Sequence, residues 1–158
     1  MSGMIPMTIN GKRKIEEELK QLKTVERPKV IDAIATARSH GDLSENAEYD
    51  AAKERQAFVE GRINELEDKL ARAHVVDPRE IRTEKIVFGA TIEVMDTHSE
   101  ERKIFRIVGT DESDIKVGLL SIESPVARQL LNRSAGDVVT IRVPKGELEY
   151  EILSVRYE

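Results

Sequence analysis

Asp42 and Glu45 lie three positions apart in the acidic segment His40-Gly41-Asp42-Leu43-Ser44-Glu45-Asn46-Ala47-Glu48-Tyr49. Two carboxylates at that spacing are hard oxygen donors that suit a metal-binding role. The same spacing is that of a capping box, in which Asp42 accepts hydrogen bonds from free backbone N–H groups at a helix start and Glu45 reaches back to the cap N–H. The two uses are compatible, because the positive end of a helix dipole keeps both acids ionised at neutral pH. Gly41 tolerates the left-handed backbone that ends a helix, so the segment reads as the turn of a helical hairpin with Asp42 and Glu45 at its tip.

The elements that carry this tip are long. Apolar residues recur at spacings of four and three through Ile15, Leu19 and Leu22, then Val30, Ile34 and Ala37, and again through Val59, Ile63, Leu66, Leu70 and Ala73. That is a coiled-coil rhythm. At about 1.5 Å per residue, Ile15 to Arg38 runs roughly 35 Å and Asn46 to Ala73 roughly 40 Å, so two antiparallel helices of matching length make a finger. Arg27-Pro28 interrupts the first seam. Proline lacks an N–H donor, and a kink or short break is expected there.

The pattern changes near Asp77-Pro78 to short strand-like runs: Ile86–Phe88 with Thr91–Met95, Ile104–Val108, Ile115–Leu120, Val138–Val143 and Glu149–Val155. Pro125 to Leu131 reads as a short helix with proline near its start, and Gly136-Asp137 and Pro144-Lys145-Gly146-Glu147 read as turns. The expected fold is α+β: an N-terminal antiparallel coiled-coil hairpin over residues 1–77, then a small antiparallel sheet with one helix over residues 78–158. No internal repeat, low-complexity tract or long linker is visible.

Composition narrows the function classes. With 158 residues, 35% charged and 39% hydrophobic, the chain has the balance of a water-soluble globular protein, and no apolar run is long enough to span a bilayer. No membrane partner and a cytoplasmic location are expected. The absence of cysteine rules out disulfides and thiolate zinc sites, and three scattered histidines, His40, His74 and His98, make a poor imidazole site. A formal net charge of −5 argues against broad, non-specific DNA binding, which needs a basic surface to displace counterions. Any nucleic acid is expected to be held by a partner.

Arg38 precedes the acidic turn and Lys53, Arg55 and Arg62 follow it, forming a sparse positive strip that either contacts phosphates or is a solvated face with Glu48, Glu54 and Glu60 as neighbours. Tyr49 can stack on a base or close the hairpin end. His40 can move a proton or merely be solvated. No glycine-rich phosphate loop exists, since Gly109, Gly118, Gly136 and Gly146 are isolated, and Ser121 and Ser124 have no histidine nearby to act as base. The C-terminal domain therefore reads as a docking module.

The stretch from Arg38 to Glu54 resembles the hairpin tip of the Gre family, bacterial transcript cleavage factors that assist RNA polymerase. Ile5-Pro6-Met7-Thr8, Arg27-Pro28, Val87-Phe88-Gly89-Ala90, Phe105-Arg106-Ile107-Val108-Gly109 and Ser124-Pro125-Val126-Ala127-Arg128 match in family order, so the resemblance covers essentially the whole chain. It implies a coiled-coil finger and an FKBP-like C-terminal domain that docks on RNA polymerase, with Glu123, Ser124 and Pro125 in the docking surface. It further implies that the finger enters the secondary channel and that Asp42 and Glu45 help hold a shared Mg2+ in the polymerase active site, which the factor does not bind stably alone. The consequence is hydrolysis of backtracked nascent RNA near its 3′ end by the polymerase's own activity; the factor is not itself an enzyme. Arg38, Ser44, Asn46, Tyr49, Lys53 and Arg55 take the places of RNA or channel contacts. Leu43 and the sparse basic strip look more like the GreA type than the GreB type. Ser44 stands where some relatives carry lysine, so a contact made by that lysine does not carry over.

Two other classes fit parts of the chain. A non-catalytic secondary-channel regulator or inhibitor needs the fold and the docking but not the tip acids. A peptidyl-prolyl isomerase or chaperone needs an aromatic-lined pocket, for which the C-terminal domain offers Phe88, Phe105, Tyr150 and Tyr157 and no tryptophan.

Overall fold

The computed structural model describes residues 3–40 and 47–158. Their contacts divide into two compact units, one of Lys12–Ala73 and one of Met1–Gly11 with His74–Glu158.

The helical unit is an antiparallel pair. Its first arm comprises α1 (Ile9–Gln21), a π-helical turn Leu22–Glu26 and α2 (Arg27–Ser39), and its second is α3 (Ala47–Ala71). The interruption expected at Pro28 takes the form of that π turn, in which the Arg27 N–H bonds to the Leu22 carbonyl while the backbone keeps helical angles. The reason is visible in the seam. Ile15, Leu22, Val30 and Ala37 are buried at intervals of seven, eight and seven residues. A π turn winds one extra residue, so the eight-residue step returns Val30 to the face set by Leu22. Ala52, Val59, Ile63 and Leu66 supply the facing seam on α3.

Ion pairs between the arms pin this register. Arg27 grips Glu60 with both Nε and Nη2 at 2.8 Å, and Arg62 grips Glu18 at 2.7 and 2.9 Å. Two-point contacts of this kind fix geometry as well as charge. The guanidinium of Arg62 holds Glu18 below its ordinary value of 4.5, and Arg27 does the same for Glu60. A depressed folded-state pKa stabilises above the unfolded value and loses that contribution as pH falls through the folded one. Thermal unfolding of the helical unit is therefore expected to shift modestly downward below about pH 4. Glu18→Gln should flatten that dependence; an unchanged pH profile in a melting series would assign the pair no role in stability.

In the other unit, β3 (Thr91–Asp96), β4 (Arg102–Val108), β5 (Leu119–Ser121), β6 (Val138–Val143) and β7 (Gly146–Arg156) form one sheet in the order β5-β4-β3-β7-β6. The sheet is mixed, correcting the expectation of a wholly antiparallel one: β5 runs parallel to β4, pairing Arg106 with Leu119 and Val108 with Ser121. The region read as a strand from Ile115 to Leu120 instead opens with a 3-10 turn, Ile115–Val117, where Asp114 accepts from the Lys116 N–H, and only Leu119–Ser121 is extended. Ile86–Phe88 is no strand either. Ile86 donates to the Arg133 carbonyl and accepts from the Asn132 N–H, both at 2.8 Å, closing the loop after the helix α4 (Pro125–Leu130). A further two-stranded sheet, β1 (Ile5–Thr8) with β2 (Ala73–Val76), was not anticipated from periodicity.

Strand β6 shows why the core sits where it does: Val139 and Ile141 are buried while Val138, Thr140 and Arg142 between them are exposed, the period of two that a half-buried strand demands. Those residues join Ile86, Ile92, Val94, Ile107, Leu130 and Ile152 in one apolar cluster. The Gln129 side chain of α4 bonds both the N–H and the carbonyl of Arg142, covering part of the β6 edge. Among the described residues, no helix is long and apolar enough to cross a membrane.

Candidate functional site

Two helix ends frame the acidic turn. α2 ends at Ser39, with the His40 N–H closing on the carbonyls of Ala37 and Arg38, and α3 begins at Ala47. Across that gap His40 Nδ1 lies 3.1 Å from a Glu48 carboxylate oxygen, and the Arg38 guanidinium sits 5.9 Å from the Tyr49 ring centroid. Both cross-links join the arms within three residues of the segment 41–46. Asp42, Ser44, Glu45 and Asn46 lie outside the described residues, and so does the capping box drawn from Asp42 and Glu45. The described residues on either side are two helix ends joined by the His40–Glu48 contact and by a cation–π contact.

The chemistry of Asp42 and Glu45 suits a hard divalent cation, but two acids are an incomplete shell. Among the described residues no group of three or more His, Cys, Asp or Glu is placed to hold a metal ion.

The basic strip is largely committed within the hairpin. Arg55 pairs with Glu26 at 3.1 Å and lies over the exposed Phe58 ring at 5.0 Å, and Arg62 is held by Glu18 and Glu65. Lys53 donates to Gln56 at 3.2 Å. Arg38 and Lys53 are the strip residues nearest the turn, and a phosphate there competes with Tyr49 and Gln56 for them.

The residues expected to dock lie at the start of α4. Ser124 caps it by accepting from the Ala127 N–H at 3.2 Å, Pro125 occupies its first turn, and Glu123 accepts from the Thr110 hydroxyl at 3.1 Å. Beside this cap lies a feature the sequence reading missed, a cleft of about 540 Å³ whose lining includes Ile104, Phe105, Ile115, Val117, Val126 and Tyr150. Phe105 and Tyr150 meet edge to face, 6.3 Å between centroids. Ile104, Ile115 and Val117 remain 56%, 67% and 68% exposed. The apolar pair Ile115 and Val117, two apart, carried a signal, but a strand explains that spacing as readily as a cleft wall does.

Comparison with known proteins covers both units. Residues 5–75 match the family model described as transcription elongation factor, N-terminal, and residues 81–157 the one described as transcription elongation factor, GreA/GreB, C-terminal. The chain is 56% identical to transcription elongation factor GreA of Trichlorobacter lovleyi, covering all of both chains. It is 54% identical to the protein of that name from Alkalilimnicola ehrlichii, over 97% of this chain and 98% of the relative. A crystal structure of GreA factor homolog 1 from Thermus thermophilus aligns with 97% of this chain and 99% of its own at 26% identity and a TM-score of 0.44.

Proposed function

Because this chain belongs to the GreA/GreB family of transcription elongation factors, we propose that it docks on RNA polymerase through its FKBP-like sheet unit, inserts the helical hairpin into the secondary channel and stimulates hydrolysis of backtracked nascent RNA. The observation that carries this reading is the hairpin end: two long helices, pinned in register, whose contacts Arg38 with Tyr49 and His40 with Glu48 bracket the Asp42 and Glu45 segment. A rigid arm with acids at its end is built to deliver carboxylates into a site it does not own.

Asp42 and Glu45 are the residues that hold Mg2+ there, jointly with polymerase. The ion supplies charge stabilisation to the attacking and leaving oxygens of a phosphoryl displacement. The hairpin's own task is positional: it brings in the acids as charges, while Arg38, just before the acidic segment, and Lys53, about two helical turns after it, steady phosphates of the extruded RNA. Ser44 and Asn46 complete the segment that enters, and Arg55, tied to Glu26 and Phe58, acts by stiffening the arm.

The direct test adds the purified protein to stalled, backtracked polymerase carrying end-labelled RNA. Transcript shortening that requires polymerase, Mg2+ and the factor together is the expected result. Without polymerase the nuclease-free protein should leave RNA intact, because two carboxylates alone supply neither the full metal shell nor a bound substrate; hydrolysis by the protein alone would overturn the division of labour.

Docking is testable separately. Every residue of the apolar cluster in the sheet unit lies at or after Ile86, so a fragment from about Arg79 onward is expected to fold and to compete with the full chain for polymerase. A fragment that shows a folded circular dichroism spectrum but fails to compete at high concentration would move docking to the hairpin.

A further inference from the structure

The cleft beside α4 lies wholly within the sheet unit, and one of its walls exists because of a glycine. Gly118 adopts φ +81°, and a Cβ there would come within 2.4 Å of the Ile104 carbonyl oxygen. Glycine therefore lets the 3-10 turn Ile115–Val117 close against β4. The Gly118 carbonyl accepts from the Arg106 N–H at 2.8 Å, and Asp114 caps the turn through the Lys116 N–H. Held this way, Ile104, Ile115 and Val117 line the cleft with more than half of each side chain's residue surface left in water. An apolar occupant that covered them would be favoured by the hydrophobic effect.

The floor is aromatic and carries an unused polar group. Phe105 on β4 and Tyr150 on β7 meet edge to face and both line the cleft. The Tyr150 hydroxyl has no hydrogen-bond partner among the described residues, and no side-chain polar atom sealed from solvent among them lacks one. Its oxygen is therefore open to solvent, on a residue that is only 3% exposed and that lines the cleft. A buried tyrosine ordinarily finds a partner for its O–H, so a ligand oxygen can take that place.

Charge at the cleft has one sign. Lys103 precedes Phe105 by two residues and so shares its face of β4, and Lys116 lies on the turn that forms the wall. These are the charged residues of the lining, and no carboxylate stands among them. Both are exposed, in a chain of net charge −5, and neither forms an ion pair among the described residues. The nearby Asp96 carboxylate is drawn down chiefly by the N–H groups of His98 and Ser99 and takes its weakest pull from Lys103.

We propose that this cleft binds a small amphipathic carboxylate, its apolar body against the aromatic floor and the Ile115–Val117 wall, an acceptor oxygen on the Tyr150 hydroxyl and its negative charge toward Lys103 and Lys116. A volume of about 540 Å³ falls in the range of small-molecule pockets, where apolar walls with a few convergent polar groups are the rule. This site is independent of the function proposed above.

The test titrates the full-length protein with octanoate and, separately, with 1-octanol, following backbone amides by nuclear magnetic resonance. Octanoate is expected to give saturable shifts confined to the residues lining the cleft, with a dissociation constant of about 1 mM or tighter. Tyr150→Phe, which keeps the ring, should weaken both ligands by about threefold or more, because each has an oxygen that can accept. Lys103→Met combined with Lys116→Met keeps the apolar stems and should weaken octanoate by about fivefold while octanol stays within about twofold. Added salt should likewise weaken octanoate alone. Shifts that fail to saturate, or that spread beyond the cleft, would overturn the proposal. So would equal effects of the double lysine variant on the two ligands, which would leave an apolar surface suited to a protein segment instead. The measurement needs no polymerase, so its outcome is read apart from any loss of cleavage.

Discussion

Asp42→Asn is expected to leave folding and polymerase binding nearly unchanged and to lower stimulated cleavage by roughly a hundredfold or more, the scale on which a positioned catalytic group acts. Asparagine keeps the size of the side chain and caps a helix about as well as aspartate, so the structural use of Asp42 survives the substitution. What it removes is the charge that a hard cation requires. Glu45→Gln should behave in the same way. Each variant should still occupy the channel and compete with the parent chain, acting as a plug without chemistry. Binding and single-turnover cleavage measured on the same backtracked complex separate the readings. Near-normal cleavage with Asp42→Asn would leave only the capping role and favour the non-catalytic channel regulator.

The hairpin was legible because its information is local. Seam residues four and three apart name both arms, and Pro28 marks the place where the ladder must change, although only the structure shows that the change is a π turn absorbing the eight-residue step from Leu22 to Val30. The same holds for α4, announced by Ser124 as cap and Pro125 in its first turn, and for β6, announced by alternation. Pairings between distant segments were not legible. β1 and β2 are four residues each and lie far apart in the chain, so neither carries enough period to be seen alone. β5 became parallel because the turns at Thr110–Glu112 and Ile115–Val117 carry the chain back along β4, a tertiary outcome that an apolar run cannot encode. Glu112 carried only a local signal, its reach back to the Gly109 N–H three residues earlier, and none for its bond to Thr8, 104 residues away. Its partners are Thr8, from the opposite end of the chain, and the backbone of Gly109.

The same limit applied to the candidate site. Charge spacing drew a strip from Arg38, Lys53, Arg55 and Arg62, and the structure divides it: Arg55 and Arg62 bind acids of their own hairpin, whereas Arg38 lies over Tyr49 and Lys53 donates to Gln56. Sequence lists cations, but only geometry shows which of them are engaged.

Closure of the arms near the tip depends on two small residues, and enlarging one of them should be nearly as damaging as removing a tip acid. Ala37 on α2 is 1% exposed and Ala52 on α3 is 8% exposed. They occupy the stretch of hairpin between the Arg27–Glu60 pair and the Arg38–Tyr49 contact, where alanine lets the helices approach closely. Ala37→Leu forces additional methylene groups into a filled seam, an overpacking that typically costs about 1–3 kcal/mol. The arms can relieve it only by separating or shifting beside the turn. If the proposed function holds, a displacement of the tip acids by about 1 Å should be enough to lower cleavage by roughly a hundredfold, whereas docking through the sheet unit should be untouched. Ala37→Ser, which adds a single small atom, should retain most of the activity. Circular dichroism confirms that helix content is kept, competition binding reports docking, and saturating-factor cleavage reports delivery. If Ala37→Leu stays folded and cleaves at the parent rate, the hairpin end tolerates movement, and tight closure near the tip is not what positions Asp42 and Glu45.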